Sequence, residues 1–390
     1  MKRIIIRFQS RVIPSLLIFF VISVKTIAQN INTDISACSD ILKILNIMRE
    51  GGTFNEVSLM LDSVLQTKPF QVMFKHYNRS WRPNHLPLIV FKNMILSLKF
   101  DNTYNKGDNT RADQMLQFWR KYYDDLPLFQ KNLDQLRKSN LEQSINDGVA
   151  YAQSWLPSEW KIPDFSFYII PNGGSPAFSI ESNQGYDFFQ LPRDSLGNIM
   201  LNELISTISH ESHHLGIRTI YPEKLSRSDS IAYEFLSLFL AEGTAVKCVN
   251  NYPGGCVPAI DKSKNSDIFK DAIKIEWQKY TLKESELFLL FTTTFEKAYS
   301  GKLSRKELQD EMQNFWLNGY ISPVYFIGSE LFGAIFIGGG KENLFKAMVD
   351  LRQVPLLYND AIKNQPRLIG NCFVFPDSIV QHSLRIGNKQ

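Results

Sequence analysis

The chain has 390 residues, of which 44% are hydrophobic and 21% charged. That composition excludes a disordered or low-complexity protein and is enough for a sizeable core, in two domains or in one large domain with a helical extension. The formal net charge is +4, but residues 1–28 hold five basic residues and no acidic one, so their removal leaves −1 and no basic stripe for nucleic acid.

Residues 1–28 read as an export signal. Lys2, Arg3, Arg7 and Arg11 precede a mostly apolar run from Val12 to Val24, interrupted by Pro14, Ser15 and Ser23. Thr26-Ile27-Ala28 then offers small residues at cleavage-site spacing, before Gln29. The run is too short to span a bilayer comfortably, so a secreted or periplasmic protein without stable membrane insertion is expected. Ile35-Ser36-Ala37-Cys38 resembles a lipidation box, but the polar stretch Asn30 to Asp34 separates it from the apolar run.

Residues 29–155 form the expected helical N-terminal region. Ile41, Leu42, Ile44, Leu45 and Met48 recur at helical spacing, as do Val57, Leu59, Met60, Leu61, Val64 and Leu65. Breaks fall at Gly51-Gly52, at Arg82-Pro83-Asn84 and between Asp101 and Asn109. His76, Trp81 and His85 in this region read as packing or surface residues. Residues 156–390 form the second expected domain. It opens on short strands at Phe165–Ile170, Ala177–Ile180 and Tyr186–Leu191, read as a small antiparallel sheet. Helices are expected at 199–215, 229–248, 266–280, 284–299, 304–317, 324–336 and 341–351. The apolar stretch Leu331 to Ile337 is short and ends in three glycines, so it reads as core.

Chemistry concentrates in His210-Glu211-Ser212-His213-His214. Residues four apart share a helix face, so His210 and His214 can aim at one zinc ion. Glu211 is offset by about a third of a turn and reaches a water on the metal rather than the metal itself. The apolar stripe of this helix runs through Leu201, Leu204, Ile205, Ile208 and Leu215, leaving His210 and His214 on the other side, and Gly216 reads as the helix stop. His213 is treated as flanking. A metzincin extension would need Gly at 217 and His at 220, and both positions are isoleucine. The third ligand is then a glutamate from the apolar segment 231–248, where a carboxylate is costly unless paired or bound to metal. Glu234 and Glu242 both qualify; Glu242 is followed by Gly243, Thr244 and Ala245, which would let this helix approach the His210 helix closely.

The pair His210-Glu-Ser-His-His214 and Leu240-Ala-Glu-Gly-Thr-Ala245 resembles the gluzincin pattern, and is most similar to uncharacterised bacterial families of zinc-dependent peptidases. The resemblance implies an α+β, predominantly helical fold with a thermolysin-like (zincin) catalytic domain, whose edge strand lies along the cleft. It implies one Zn2+ per chain on His210, His214 and Glu242, Glu211 as general base, and a peptide or protein substrate. Pro323-Val-Tyr-Phe-Ile-Gly328 looks like the tyrosine-bearing helix start of aminopeptidase-type gluzincins, which implies an oxyanion donor at Tyr325, with Tyr320 as backup. The His214-to-Glu242 gap is longer than in thermolysin-like enzymes, and the aminopeptidase G-x-M-E-N strand is missing. The acidic residue four after the third ligand would fall at Val246, which leaves Asp229 as a weak candidate for orienting a histidine.

Two other readings remain open: a catalytically inactive relative that binds peptides, and a zinc hydrolase acting on a non-peptide substrate. Of the four cysteines, Cys248 and Cys256 flank a short loop and are the expected disulfide. Nothing in the sequence fixes oligomeric state or cleavage specificity.

Overall fold

The computed structural model describes residues 30–80, 85–260, 271–318, 321–365, 368 and 372–388. The expected export signal, Tyr320, Trp81 and residues 266–270 lie outside the described residues. Within them the fold is α+β and mostly helical, with a four-stranded sheet.

The described chain starts with β1 (Ile31–Asp34). There follow α1 (Ser36–Arg49), α2 (Phe54–Leu65), α3 (Lys68–Tyr77), α4 (Leu88–Leu96), α5 (Thr110–Asp124), α6 (Leu126–Lys138) and α7 (Leu141–Gln153). The strands β2 (Phe165–Ile170), β3 (Ala177–Ile180) and β4 (Asn183–Asp187) come next. The remaining helices are α8 (Leu201–Gly216), α9 (Arg227–Thr244), α10 (Asp271–Leu282), α11 (Glu284–Tyr299), α12 (Arg305–Glu311), α13 (Pro323–Val349), α14 (Val354–Asn364) and α15 (Asp377–Leu384).

The sheet departs from the expected antiparallel arrangement. Its order is β1-β2-β4-β3, with β1–β2 and β2–β4 parallel and only β3–β4 antiparallel. β1 comes from the segment expected to be helical, so the sheet draws strands from both sides of residue 155. Four residues are too few for strand periodicity to register against the helix that follows. β4 also ends earlier than expected. The buried Asp187 carboxylate accepts the Phe189 N–H at 3.2 Å and turns Phe188–Gln190 into a 3₁₀ turn. It also accepts the N–H groups of Asn172 and Gly173, both at 3.0 Å, and so ties the turn after β2 to the end of β4. Burial pushes its pKa up to about 6, against the pull of these donors.

Three close contacts set the helix positions. α7 packs along α8 where a Cβ on Gly148 would lie 2.6 Å from Ile208 Cγ2. α8 closes on Leu156, 2.2 Å from a Cβ built on Gly216. Gly216 is therefore the last helical residue, chosen for close packing; it lacks the positive φ of the expected helix stop. α9 meets α13 backbone to backbone, a Cβ on Gly243 falling 2.4–2.6 Å from Gly328 C, Cα and O.

The segments expected as 324–336 and 341–351 form one element, α13, which continues through Gly338 and Gly339 and kinks at Gly340 (φ 69°, ψ −170°). Only glycine takes that conformation without strain. α13 is long and apolar enough to cross a membrane, but 67% of its most apolar stretch is buried within the protein. The expected Cys248–Cys256 disulfide is not formed. Cys256 pairs with Cys372, with Cα atoms 5.4 Å apart, while Cys248 and Cys38 are free and buried. Cys248 lies in a π-helical turn (Ala245–Val249) that carries its side chain into the core, away from the loop holding Cys256.

Candidate metal centre

α8 and α9 bring His210, His214 and Glu242 together, with one donor atom from each within 4.8 Å of the others. Glu242 Oε2 lies 3.5 Å from His210 Nε2 and 3.3 Å from His214 Nε2. That oxygen is buried and no hydrogen bond satisfies it. A buried carboxylate oxygen facing two imidazoles needs positive charge opposite it, from a protonated imidazole or from a metal cation. Two imidazole nitrogens and one carboxylate oxygen, with further positions open, is a donor set that suits zinc. The residues present therefore fit the ion.

The electrostatics agree. Burial alone would lower the His214 pKa, but the Glu242 carboxylate and then Glu211 outweigh it and raise it to about 9. Burial would raise Glu242, yet His214 and His210 hold it well below the usual carboxylate range. The pocket is one that holds positive charge. Glu234, the other glutamate weighed from sequence, is two turns earlier on α9. Its Oε2 pairs with Arg305 Nε of α12 at 3.1 Å, outside this cluster.

Glu211 is buried beside the cluster. Its Oε2 accepts from Ser179 Oγ of β3 at 2.7 Å. β3 is the edge strand of the sheet and packs along α8. Ser179 thus fixes the carboxylate from the strand side. Ser179 escapes sequence reading because a lone serine in a short strand carries no pattern.

His210 is oriented by Asn250. Asn250 Oδ1 lies 2.5 Å from His210 Nδ1, and Asn250 Nδ2 donates to Ser206 Oγ at 3.0 Å. With the amide nitrogen committed to Ser206, its oxygen accepts from Nδ1–H, which leaves the Nε2 lone pair facing Glu242. Asn250 was missed because the expected partner was an acidic residue four after Glu242. The π-helical turn intervenes, with Asn250 N bonding Ala245 O five residues back, and its wider winding brings Asn250 round to α8. Asp229, the weak candidate, is instead in the first turn of α9, thirteen residues and about 20 Å along the helix from Glu242. It accepts the Gly387 N–H there.

The loop after the π turn is anchored by buried charge. Glu330 of α13 accepts the N–H groups of Gly255, Cys256 and Val257 at 2.8–3.0 Å, and Lys247 Nζ donates to Tyr252 O and Val257 O. Burial raises Glu330 and lowers Lys247 to about 8. Cys256, Glu284 and Glu330 also converge, but the Cys256 sulfur is committed to its disulfide and provides no thiolate ligand.

His213 is fully buried on α8, and burial first, then its two histidine neighbours, push it down to about 3. It is neutral and apart from the donor cluster. Tyr325 is half-buried in the first turn of α13, three residues before Gly328, whose backbone touches Gly243 beside Glu242. His76 stacks on Phe178 of β3 with ring centroids 4.0 Å apart.

A mostly helical α+β fold gathers two histidines and a glutamate around one point, with another glutamate alongside, as a group that could hold a metal ion. The chain belongs to the family described as "Putative zinc dependent peptidase (DUF5700)", whose model matches residues 61–367. Comparison with curated proteins found no match, and neither did comparison with solved structures.

Proposed function

We propose that the protein is a zinc-dependent peptidase of the gluzincin type, with His210, His214 and Glu242 as the ligands of one zinc ion. The observation that carries the reading is the unsatisfied Glu242 Oε2 between two histidine Nε2 atoms, with Glu211 beside them on the same helix. A bound zinc ion supplies a lowered water pKa and polarises the scissile carbonyl. Glu211 takes the proton of the attacking water and passes it to the leaving amine. Ser179 holds Glu211 in place before the proton arrives, and Asn250 keeps His210 in its Nδ1–H tautomer. Tyr325 donates to the developing oxyanion. The edge strand β3 offers its outer side to an extended peptide, as thermolysin-like enzymes do. Export is supported by the basic and apolar run in residues 1–28 and by the Cys256–Cys372 disulfide, which suits an oxidising compartment.

The test is a mixed peptide library incubated with zinc-loaded protein lacking residues 1–28, new termini being read by mass spectrometry. Cleavage that stops on chelation and returns with zinc is the expected result. Zinc-loaded, folded protein that leaves every peptide intact would overturn the reading in favour of a binding protein or a non-peptide hydrolase.

A further inference from the structure

Among the described residues, the N-terminal helical region brings Arg79 to the site. Asn78, just after α3, closes a loop through its side chain: Nδ2 donates to Leu86 O at 3.0 Å and Oδ1 accepts Leu86 N–H at 2.8 Å. His85 Nε2 lies 3.2 Å from Arg79 O, and Asn109 Nδ2 donates to His85 O at 2.8 Å. From this fastened base the half-buried Arg79 reaches across to β3 and donates from Nη2 to Ser179 O. Ser179 is the residue whose hydroxyl meets Glu211. Arg79 is also close enough for its charge to act on both Glu211 and His214.

The direction of that carbonyl matters. In an antiparallel pair, alternate residues of an edge strand turn both N–H and C=O toward the partner strand. Pro176 O accepts Asp187 N–H of β4, so positions 176, 178 and 180 face inward while Ala177 and Ser179 face outward. Ser179 O is therefore one of the outward groups with which an extended substrate would pair. Arg79 occupies it. A substrate strand lying along β3 meets a guanidinium here in place of a free backbone acceptor, so the edge open to it is cut short.

We propose that Arg79 is a specificity residue that recognises a carboxylate of the substrate at this end of the β3 edge. A guanidinium matches a carboxylate in a planar, two-bond fork that no neutral group reproduces. It is half-buried beside the β3 edge along which the substrate strand would lie. A free C-terminal carboxylate and an acidic side chain share this chemistry. The proposal rests on the peptidase reading.

The experiment uses zinc-loaded wild type, Arg79→Ala and Arg79→Lys. The substrates are matched peptides: one with a free C-terminus, its C-terminal amide, and versions in which each Glu or Asp is replaced by Gln or Asn. Binding is measured by calorimetry alongside kcat and KM. Wild type is expected to prefer one carboxylate form over its neutral match by about ten- to a hundredfold, chiefly in KM and Kd. Loss of preference on amidation identifies the C-terminus; loss on a side-chain swap identifies an acidic residue. Arg79→Ala should abolish the preference, and Arg79→Lys should lose most of it while retaining the charge; zinc content and melting temperature report that each variant is folded. Equal treatment of charged and neutral peptides by wild type, or a preference that survives in a folded Arg79 variant, would overturn the proposal. Binding data separate the two readings: carboxylate-selective binding without cleavage sinks hydrolysis but leaves Arg79 standing, and cleavage without selectivity does the reverse.

Discussion

Glu211→Gln is expected to bind zinc as wild type does and to hydrolyse peptides roughly 10²–10⁴-fold more slowly. Glutamine keeps the shape of Glu211 and an amide oxygen to accept from Ser179 Oγ, so packing under β3 survives. What it removes is a group that can take and return a proton. Glu211 is not in the cluster of converging donor atoms, so metal retention should not change. The check is a pair of measurements on one preparation, zinc by elemental analysis and the cleavage rate on the best library peptide. A variant with full zinc and near wild-type rate would assign the base to another residue.

The second large effect is structural. Gly243→Ala puts a Cβ 2.4–2.6 Å from the Gly328 backbone, and backbone cannot rotate out of the way as a side chain can. α9 and α13 must move apart, and a core contact forced open in this way costs typically 1–3 kcal/mol. Glu242, adjacent in sequence, moves with α9, so a lower melting temperature should come with weaker zinc binding. Gly148→Ala makes a useful comparison. Its added Cβ meets the Ile208 side chain at 2.6 Å, two residues before His210 on α8, but a side chain can shift where the Gly328 backbone cannot, so it should cost less stability than Gly243→Ala. If Gly243→Ala melts and binds zinc like wild type, the helix crossing does not set the position of Glu242.

The difference between these sites explains what could be read from sequence. His210, Glu211 and His214 sit within one helical turn, and helix geometry alone converts their spacing into a shared position. Glu242 was picked out because a carboxylate in an apolar helix beside a small-residue run needs a reason to be there, but Gly243 serves a contact with Gly328 of α13 instead of the expected approach to α8. Ser179, Asn250 and Arg79 reach the same cluster from a strand, a π turn and a loop far earlier in the chain, and no local pattern marks them. The disulfide was misread for a similar reason: proximity in sequence favoured Cys248, whereas the fold brings Cys372 to Cys256 across 116 residues. Sheet direction was misread because strand composition reports burial and not which neighbour a strand pairs with, and the four residues of β1 gave no period at all.

The central claim is that His210, His214 and Glu242 hold one zinc ion. Zinc content of the purified chain lacking residues 1–28, measured for wild type, Glu242→Ala and Glu234→Ala, tests it most directly. The account predicts about one zinc per chain in wild type and in Glu234→Ala, whose ion pair with Arg305 lies elsewhere, and loss of zinc in Glu242→Ala. Wild type that stays metal-free after reconstitution, or a Glu242→Ala variant that keeps its zinc, would contradict it.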